Sequence, residues 1–359
     1  MTGERDTPPE NPETPPRETP DSGGAGRPRA RNLLLVFVAF WIVLVVAGGT
    51  VAIWGISAFD TPGPLAESRR VVIPKGAGLG EISRRLSAAG VVANPLLFRL
   101  GVQLFGQGRP LRAGEYRFVA AASPRQVMEL LIRGETVLRR ITLAEGLTTR
   151  QIFAQIARQK GLVGPIDMPP EEGRLLPETY YFALGDRRDA LVRRMRDAMT
   201  RTLDELWNAR APDLPYKSKT EALILASIVE KETAVDGERP LIAGVFVNRL
   251  RKRMRLQSDP TIIYGLTRGA GPLNRPLRRS EIARPTPYNT YVIAGLPPGP
   301  IANPGRASIA AALKPARTRY LYFVADGSGG HAFARTNAEH LRNVAKWRRL
   351  SRQRHKNKP

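Results

Sequence analysis

The chain has 359 residues, no cysteine, three histidines and a formal net charge of +24. Without cysteine it can form neither disulfides nor thiolate metal sites, and no HExxH, CxxC or G-x-S-x-G motif is present. Zinc chemistry and a serine hydrolase are therefore disfavoured, and carboxylates are left as the main acid–base candidates. So basic a chain is expected to bind a polyanion, which could be nucleic acid, anionic lipid or an acidic cell-wall polymer.

Residues 1–31 contain seven prolines and almost no large apolar side chain. They cannot bury enough apolar surface to fold, so we expect a disordered tail. An uncharged run of 27 residues follows, from Leu33 to Phe59. Because about 20 apolar residues cross a bilayer as a helix, the run predicts a transmembrane helix over residues 32–59. Its length and uniform apolarity disfavour a buried core helix and a cleaved signal peptide.

Charges beside this run predict its orientation. Three arginines, Arg27, Arg29 and Arg31, come directly before it, and no acid lies among them. The positive-inside rule therefore predicts a cytoplasmic N-terminal tail, a single pass through the cell membrane and an exported, extracytoplasmic body. An exported basic body seldom meets DNA, so nucleic acid is disfavoured as a partner, and the membrane surface or an envelope polymer is favoured.

Beyond a Pro/Gly-containing linker at residues 60–69, a strand–turn–helix pattern occurs twice, at an offset of 70 residues. The segment "RRVVIPKGAGLGEISRRLSAAGVV" aligns with "RRITLAEGLTTRQIFAQIARQKGLV", and Gly76 matches Gly146 in the turn. We interpret the repeat as a duplicated small α/β module. Chance similarity of two amphipathic helices is the alternative. Units of this kind resemble LysM modules, which bind cell-wall glycan.

The boundaries predicted from this pattern are a LysM-like module over residues 70–138 and a second domain over residues 139–345, which begins with the second LysM-like unit at 139–165. Within the first module, "SPRQVMELLIRG" has a Ser cap, Pro in the first turn and a final Gly, which predicts a helix. A basic tail over residues 346–359 follows; it is expected to be solvated, with attraction to an anionic surface as a further hypothesis. The predicted fold class is α+β.

The stretch "LASIVEKETAVDGERP" places four acids after an apolar helical run. Glu230 follows the small residues Ala226 and Ser227 on its helix face, which would leave room for a ligand and raise the pKa of the carboxyl. Glu232 follows bulky residues and is expected to be structural, held by a basic partner such as Arg249. The other two acids, Asp236 and Glu238, fall in a polar turn where helix capping is the ordinary role. These arguments leave open whether Glu230 is functional.

Polar and aromatic residues cluster in two further segments, "MRLQSDPTIIYG" and "RPTPYNTYVIAGLPPGPIANPG". Tyr, Asn, Gln and Asp on Pro/Gly-stiffened loops suit sugar recognition, although each alone could be a turn residue or a core aromatic. The predicted substrate-binding residues are Gln257, Ser258, Asp259, Tyr264, Tyr288, Asn289 and Tyr291.

Seven motifs carry a resemblance to a known family: "LASIVEKET", "ER" at 238–239, "VFVNRL", "MRLQSDPTIIYG", "PYNTY", "GLPPGPIANPG" and "YLYFVADGSGGHAF". In these motifs the chain resembles the YceG-like (MltG) family of endolytic murein transglycosylases, over residues from about 70 to 345. The resemblance implies that Glu230 is the catalytic residue, acting without metal or cofactor. It also implies cleavage of nascent peptidoglycan strands between N-acetylmuramic acid and N-acetylglucosamine, with 1,6-anhydromuramic ends. Cell-wall synthases are candidate partners.

Two other functions are compatible with the same sequence features. The chain could be a non-catalytic, membrane-anchored scaffold that binds peptidoglycan. It could also be a glycan hydrolase with two carboxylates, in which Asp259 would be the second.

Overall fold

A computed structural model of the chain describes residues 28–356, and side chains within residues 33–353. Most of the predicted disordered tail, residues 1–27, and the last three residues of the basic tail lie outside the described residues. Helix α1, Pro28–Asp60, contains an apolar stretch from Leu33 onward, in which a window of 18 residues has a mean hydropathy of 2.7 and no buried residue. By length and composition it could cross a membrane, which is compatible with a single-pass anchor.

The first folded unit has the order strand, helix, helix, strand, helix: β1 (Arg69–Ile73), α2 (Leu79–Ala88), α3 (Pro95–Phe105), β2 (Gly114–Phe118) and α4 (Pro124–Arg133). Strands β1 and β2 pair antiparallel. The first unit has a hydrophobic core of its own, separate from the cores of the two parts described below. This core includes Ile82, Leu86 and Tyr116. The predicted cap of α4 is confirmed, because Ser123 and Gln126 form a capping box and Gly134 ends the helix in the left-handed conformation.

The second unit comprises β3 (Leu138–Thr142), α5 (Thr149–Arg158), β4 (Leu162–Val163), β5 (Thr179–Ala183), β6 (Asp186–Arg187) and α6 (Arg188–Asn208). Strands β3 and β5 pair antiparallel, and β4 and β6 pair parallel. Each unit begins with a strand, a turn at a glycine of positive φ and a helix; the φ angles are 82° at Gly76 and 75° at Gly146. The repeated local pattern is thus present, while duplication and the LysM-like interpretation stay predictions.

The C-terminal part is mainly helical and ends in a hairpin. Its elements are α7 (Lys219–Glu232), a 3₁₀ turn (Asp236–Glu238), α8 (Arg239–Arg251), α9 (Asp259–Thr267), α10 (Arg279–Ala283), α11 (Arg306–Leu313), β7 (Tyr322–Ala325), β8 (His331–Ala334) and α12 (Asn337–Lys356). Helix α7 forms the centre: every residue from Ala222 to Val229 is buried, against α8, α11 and neighbouring elements. The molecule is therefore a mixed α/β protein with one apolar N-terminal helix.

The segment predicted as a linker, residues 60–69, packs against the first unit. Leu65 is buried, and its carbonyl accepts a hydrogen bond of 2.8 Å from the backbone N–H of Ala121. The N–H of Gly63 donates to the carbonyl of Ala121 at 3.2 Å. Proline and glycine here shape a docked connection, a possibility that composition alone did not indicate.

Candidate active site

Glu230 lies in the last turn of α7. The helix begins at a capping box formed by Ser218 and Glu221, and its apolar body fixes the position of its end. The Glu230 side chain is only 5% exposed. Its Oε2 accepts a hydrogen bond of 2.9 Å from the backbone N–H of Gly305, and its Oε1 lies 3.8 Å from Nη2 of Arg239. A carboxylate so deeply covered is thus held by a backbone donor and a cation, as burial of a charge requires.

The room expected beside Glu230 is filled by the chain itself. Ala226 and Ser227 are both fully buried. The Ser227 hydroxyl donates to the carbonyl of Ile224 and accepts a bond of 3.0 Å from the N–H of Ile301. The small residues therefore admit the 301–305 segment, which brings the N–H of Gly305 to Glu230, and the expectation that they open space for a ligand is corrected.

A second carboxylate, Glu145, joins this cluster and was not predicted. Its Oε2 lies 3.5 Å from the same Nη2 of Arg239 that faces Glu230. The Glu145 side chain is 41% exposed. Burial and the neighbouring Glu230 charge raise the pKa of the Glu145 carboxyl, while Arg239 opposes the shift. The sequence contained one signal for Glu145. In the repeat at an offset of 70 residues, Glu145 aligns with Lys75, so the two turns differ in charge at this position.

Arg239 connects the acids of this cluster. It is the first residue of α8, it is 7% exposed, and it also pairs with the exposed Asp236. Within residues 28–356 its buried Nε atom has no hydrogen-bond partner. The guanidinium thus retains a donor beyond those that hold the carboxylates.

Beside the cluster lies a cleft of about 490 Å³ whose wall includes Glu145, Gly146, Lys231 and Tyr264. Glu230 packs behind this wall, because a methyl group at Gly146 would lie 3.6 Å from its Cγ. The site therefore combines a half-exposed carboxylate at the cleft with a covered one behind it.

Another acid, Glu172, supports this cleft from inside the protein. It accepts hydrogen bonds from the N–H of Thr149 at 2.8 Å and from Nδ2 of Asn303 at 3.1 Å, and Tyr264 also bonds to it. Tyr264 packs against Tyr288, with ring centroids 5.0 Å apart. Of the predicted substrate-binding residues, these two tyrosines are close to the cleft, and Tyr264 lines it.

Two of the predicted substrate-binding residues are fully covered. Ser258 is 1% exposed and donates to Glu232, and Asn289 is 0% exposed. The Asn289 amide donates to the carbonyls of Glu281, Ile282 and Arg284. Since their polar atoms are used inside the protein, we reassign both from sugar contact to support of the loops.

The remaining three predicted substrate-binding residues, Gln257, Asp259 and Tyr291, are exposed or half-exposed. The Tyr291 hydroxyl donates to Oδ1 of Asp259 at 2.7 Å. Gln257 is exposed and has a φ of 52°, a left-handed conformation that is uncommon for a residue other than glycine. The carboxylate that shares Arg239 with Glu230 is Glu145, and the suggestion of Asp259 as a second catalytic carboxylate stays a prediction.

Glu232 accepts its side-chain hydrogen bond from Ser258. The predicted partner, Arg249, instead donates to the carbonyls of Leu256 and Leu321. Burial raises the pKa of the Glu232 carboxyl to about 7. Glu238, expected to cap a helix, binds His331 through the backbone N–H and through Nδ1, both at 2.7 Å. Neither acid belongs to the Glu145–Arg239–Glu230 cluster.

Within residues 28–356, no group of three or more His, Asp or Glu side chains is arranged to hold a metal ion.

Comparison with known proteins adds sequence relationships to this geometry. The YceG-like family model matches residues 71–346. An "Endolytic murein transglycosylase" of Bacillus subtilis is 30% identical over 315 residues, which cover 78% of this chain and 84% of that protein. A protein of the same name from Streptococcus pneumoniae is also 30% identical, over 78% of this chain and 59% of its own length.

Among solved structures, a YceG-like protein from Listeria monocytogenes is 31% identical; the match covers 77% of this chain and 98% of that one, with a TM-score of 0.49. The family match spans most of the chain and includes every residue of the cluster around Arg239. The chain therefore belongs to the YceG-like family.

Proposed function

We propose that this protein is an endolytic murein transglycosylase. It cleaves peptidoglycan strands internally, between N-acetylmuramic acid and N-acetylglucosamine, and leaves 1,6-anhydromuramic ends. The observation that carries this proposal is the carboxylate pair on Arg239, placed at a cleft of about 490 Å³. Relatives named for this activity match most of the chain and support the assignment.

The reaction needs two proton transfers and no outside nucleophile. The C6 hydroxyl of the muramic residue attacks C1 of the same sugar, with the rate advantage of a tethered group. One proton must reach the leaving glycosidic oxygen, and one must leave the C6 hydroxyl. In the simplest arrangement Glu230 performs both transfers in turn.

Placement at the membrane completes the proposal. Helix α1 would anchor the protein in the inner membrane, and the arginines at 27, 29 and 31 favour a cytoplasmic N-terminus. The folded part then faces the periplasm, where nascent glycan strands are available. Its excess positive charge suits an anionic wall polymer, and wall synthases working on the same strands are candidate partners.

The test compares two isosteric variants on one helix. Glu230→Gln should abolish release of anhydromuropeptides from purified peptidoglycan, whereas Glu232→Gln should retain it, because Glu232 lies outside the cluster. Mass spectrometry of the products provides the measurement. Undiminished cleavage by Glu230→Gln would contradict the assignment. Products heavier by one water would indicate a hydrolase, and binding without cleavage by the wild type would indicate a scaffold.

A further inference from the structure

We propose that the two proton transfers are divided between two residues: Glu145 is the general acid that protonates the leaving glycosidic oxygen, and Glu230 is the base that receives the proton of the C6 hydroxyl. This inference rests on the proposed function, but it assigns a role to a residue that neither the sequence motifs nor the family resemblance singled out. Three features of the cluster support it.

Access to the cleft is the first feature. A general acid must come within about 3 Å of the oxygen that it protonates. Glu145 lines the cleft with 41% of its side chain exposed, whereas Glu230 is 5% exposed and lies behind Gly146. Gly305 also lacks the side chain that would overlap the Glu145 carboxylate, because a Cβ there would occupy the same space. The backbone at this position thus accommodates both carboxylates.

The second feature is the difference between their surroundings. Burial and the charge of Glu230 raise the pKa of Glu145 against the opposing charge of Arg239, which favours the protonated form that an acid needs. Glu230 instead accepts the N–H of Gly305. Paired carboxyl groups with environments that differ in this way are the usual basis for separate acid and base roles.

Their spacing is the third feature. Glu145 Oε2 and Glu230 Oε1 lie 3.5 Å and 3.8 Å from one nitrogen, so they can be no farther apart than the sum, 7.3 Å. Carboxylates that act on the two sides of one glycosidic bond are typically about 5 to 9.5 Å apart. A separation within this upper limit is short enough for a proton to return from one carboxyl to the other after each cleavage.

Atoms and charge balance over one turnover. The C1–O bond to N-acetylglucosamine breaks as its oxygen takes the Glu145 proton, and the C1–O6 bond forms as the O6 proton passes to Glu230. Glu145 is then ionised and Glu230 protonated, and transfer of one proton between them restores the starting state. No water molecule is consumed and no electron is transferred.

The diagnostic experiment varies the leaving group. A leaving group of low pKa departs without protonation, so removal of a general acid should be largely compensated when such a substrate is used. The activated substrate is a short glycan ending in N-acetylmuramic acid joined through C1 to 2,4-dinitrophenol. Phenol release is measured with the full-length protein in detergent, alongside cleavage of natural strands.

Glu145→Gln should slow cleavage of natural strands by at least 100-fold yet release dinitrophenol within about tenfold of the wild-type rate. Glu230→Gln should be slow on both substrates. Glu81→Gln, an equally exposed carboxylate that pairs with Arg85 on α2, is the matched control and should stay within about twofold on both. Thermal unfolding monitors folding; if Glu145→Gln is unfolded, Glu145→Asp replaces it, with the same pattern expected.

Glu145 would be rejected as the acid if its variant cleaved natural strands at the wild-type rate, or if it were equally slow on both substrates. Either result leaves the proposed function intact, since that depends on the wild-type product. Conversely, a wild-type enzyme that formed no anhydro sugar from natural strands would contradict the proposed function itself.

Discussion

Glu230 and Glu232 leave the last turn of α7 into different surroundings. Glu230 meets Gly305 and Arg239 beside the cleft, and Glu232 meets Ser258 within the protein. Because residues two apart on a helix point in nearly opposite directions, one helix end can support a reaction site and an internal polar contact. Helix geometry alone predicts this separation, and the structure supplies the partners.

Because Glu232 is buried, we expect the stability of the protein to depend on pH. Glu232 has a folded pKa of about 7, above its ordinary value of 4.5. The folded state therefore binds the proton more tightly, and its stabilising effect is complete below pH 4.5 and is lost as pH rises to about 7. We expect Glu232→Gln, which stays neutral, to remove that loss and to raise the free energy of unfolding at pH 8 by up to roughly 3 kcal/mol.

Urea unfolding of wild type and Glu232→Gln at pH 4.5 and pH 8 measures this effect. The difference between the two proteins should be small at the lower pH and largest at the higher one. Glu221→Gln is a useful comparison, since that residue is half-exposed and backbone N–H donors lower the pKa of its carboxyl, so its variant should show the opposite trend. A pH-independent difference for Glu232→Gln would contradict the buried, proton-binding role.

The roles of some residues are indicated by a local sequence motif, and the roles of others are decided by tertiary packing. The motif predicts a functional role for Glu230, which stays a prediction, but no motif indicated the burial of Ser258 and Asn289. Serine and asparagine serve equally well as ligand contacts or as internal donors, and only the tertiary packing of the 256–258 and 281–290 segments chooses between these uses. Glu145 escaped prediction for the same reason, because its partners come from three separate segments.

At the scale of elements, helix α7 depends on a local N-terminal cap. The hydroxyl of Ser218 accepts the N–H of Glu221 at 3.1 Å, and the Glu221 carboxylate accepts the N–H of Ser218 at 3.0 Å. We expect Ser218→Ala to lower the free energy of unfolding by about 1 kcal/mol. Activity per folded molecule should not change, because Glu230 lies about 18 Å farther along the helix.

Denaturant unfolding tests the expected loss of stability in Ser218→Ala. A turnover rate measured on the folded fraction tests whether activity is unchanged. Ser123→Ala, which removes the corresponding cap from α4 in the first unit, is the matched control and should cost a similar amount. A fall in the turnover rate of Ser218→Ala, with no such fall for Ser123→Ala, would show that the cap also shapes the site.

The secondary-structure elements that could be predicted are those determined by residues close by in the sequence. Caps, apolar periodicity and turn glycines lie within a few residues of what they determine, and so α4, α7 and both strand–turn–helix patterns follow from short stretches of sequence. The 301–305 segment has a distant cause, the small face of α7 at Ser227, and its path could not be derived from its own Pro/Gly content. The Glu145–Arg239–Glu230 cluster depends on that path, because the path brings Gly305 to Glu230.

At the scale of the whole molecule, the end of α1 is fixed to the first unit. Phe59 is 1% exposed and stacks on Phe105 with ring centroids 5.5 Å apart. Next to it, Asp60 pairs with Arg125 of α4. If α1 spans the membrane, this contact holds the first unit close to the bilayer surface, and the rest of the folded chain begins from a defined position rather than from a free tether.

Gly101 on α3 makes this contact possible, because a Cβ at that position would overlap the Phe59 ring. Gly101→Ala should therefore displace Phe59 and loosen the 61–68 segment, which contains the exposed Glu67. The matched control is Gly80→Ala on α2, where the nearest atom to a new Cβ is the flexible end of Arg84 at 3.7 Å. We expect a protease that cleaves after glutamate to cut the Gly101→Ala protein in detergent several-fold faster at this segment, and the control at the wild-type rate. Equal rates for all three proteins would mean that the end of α1 is not held by this contact.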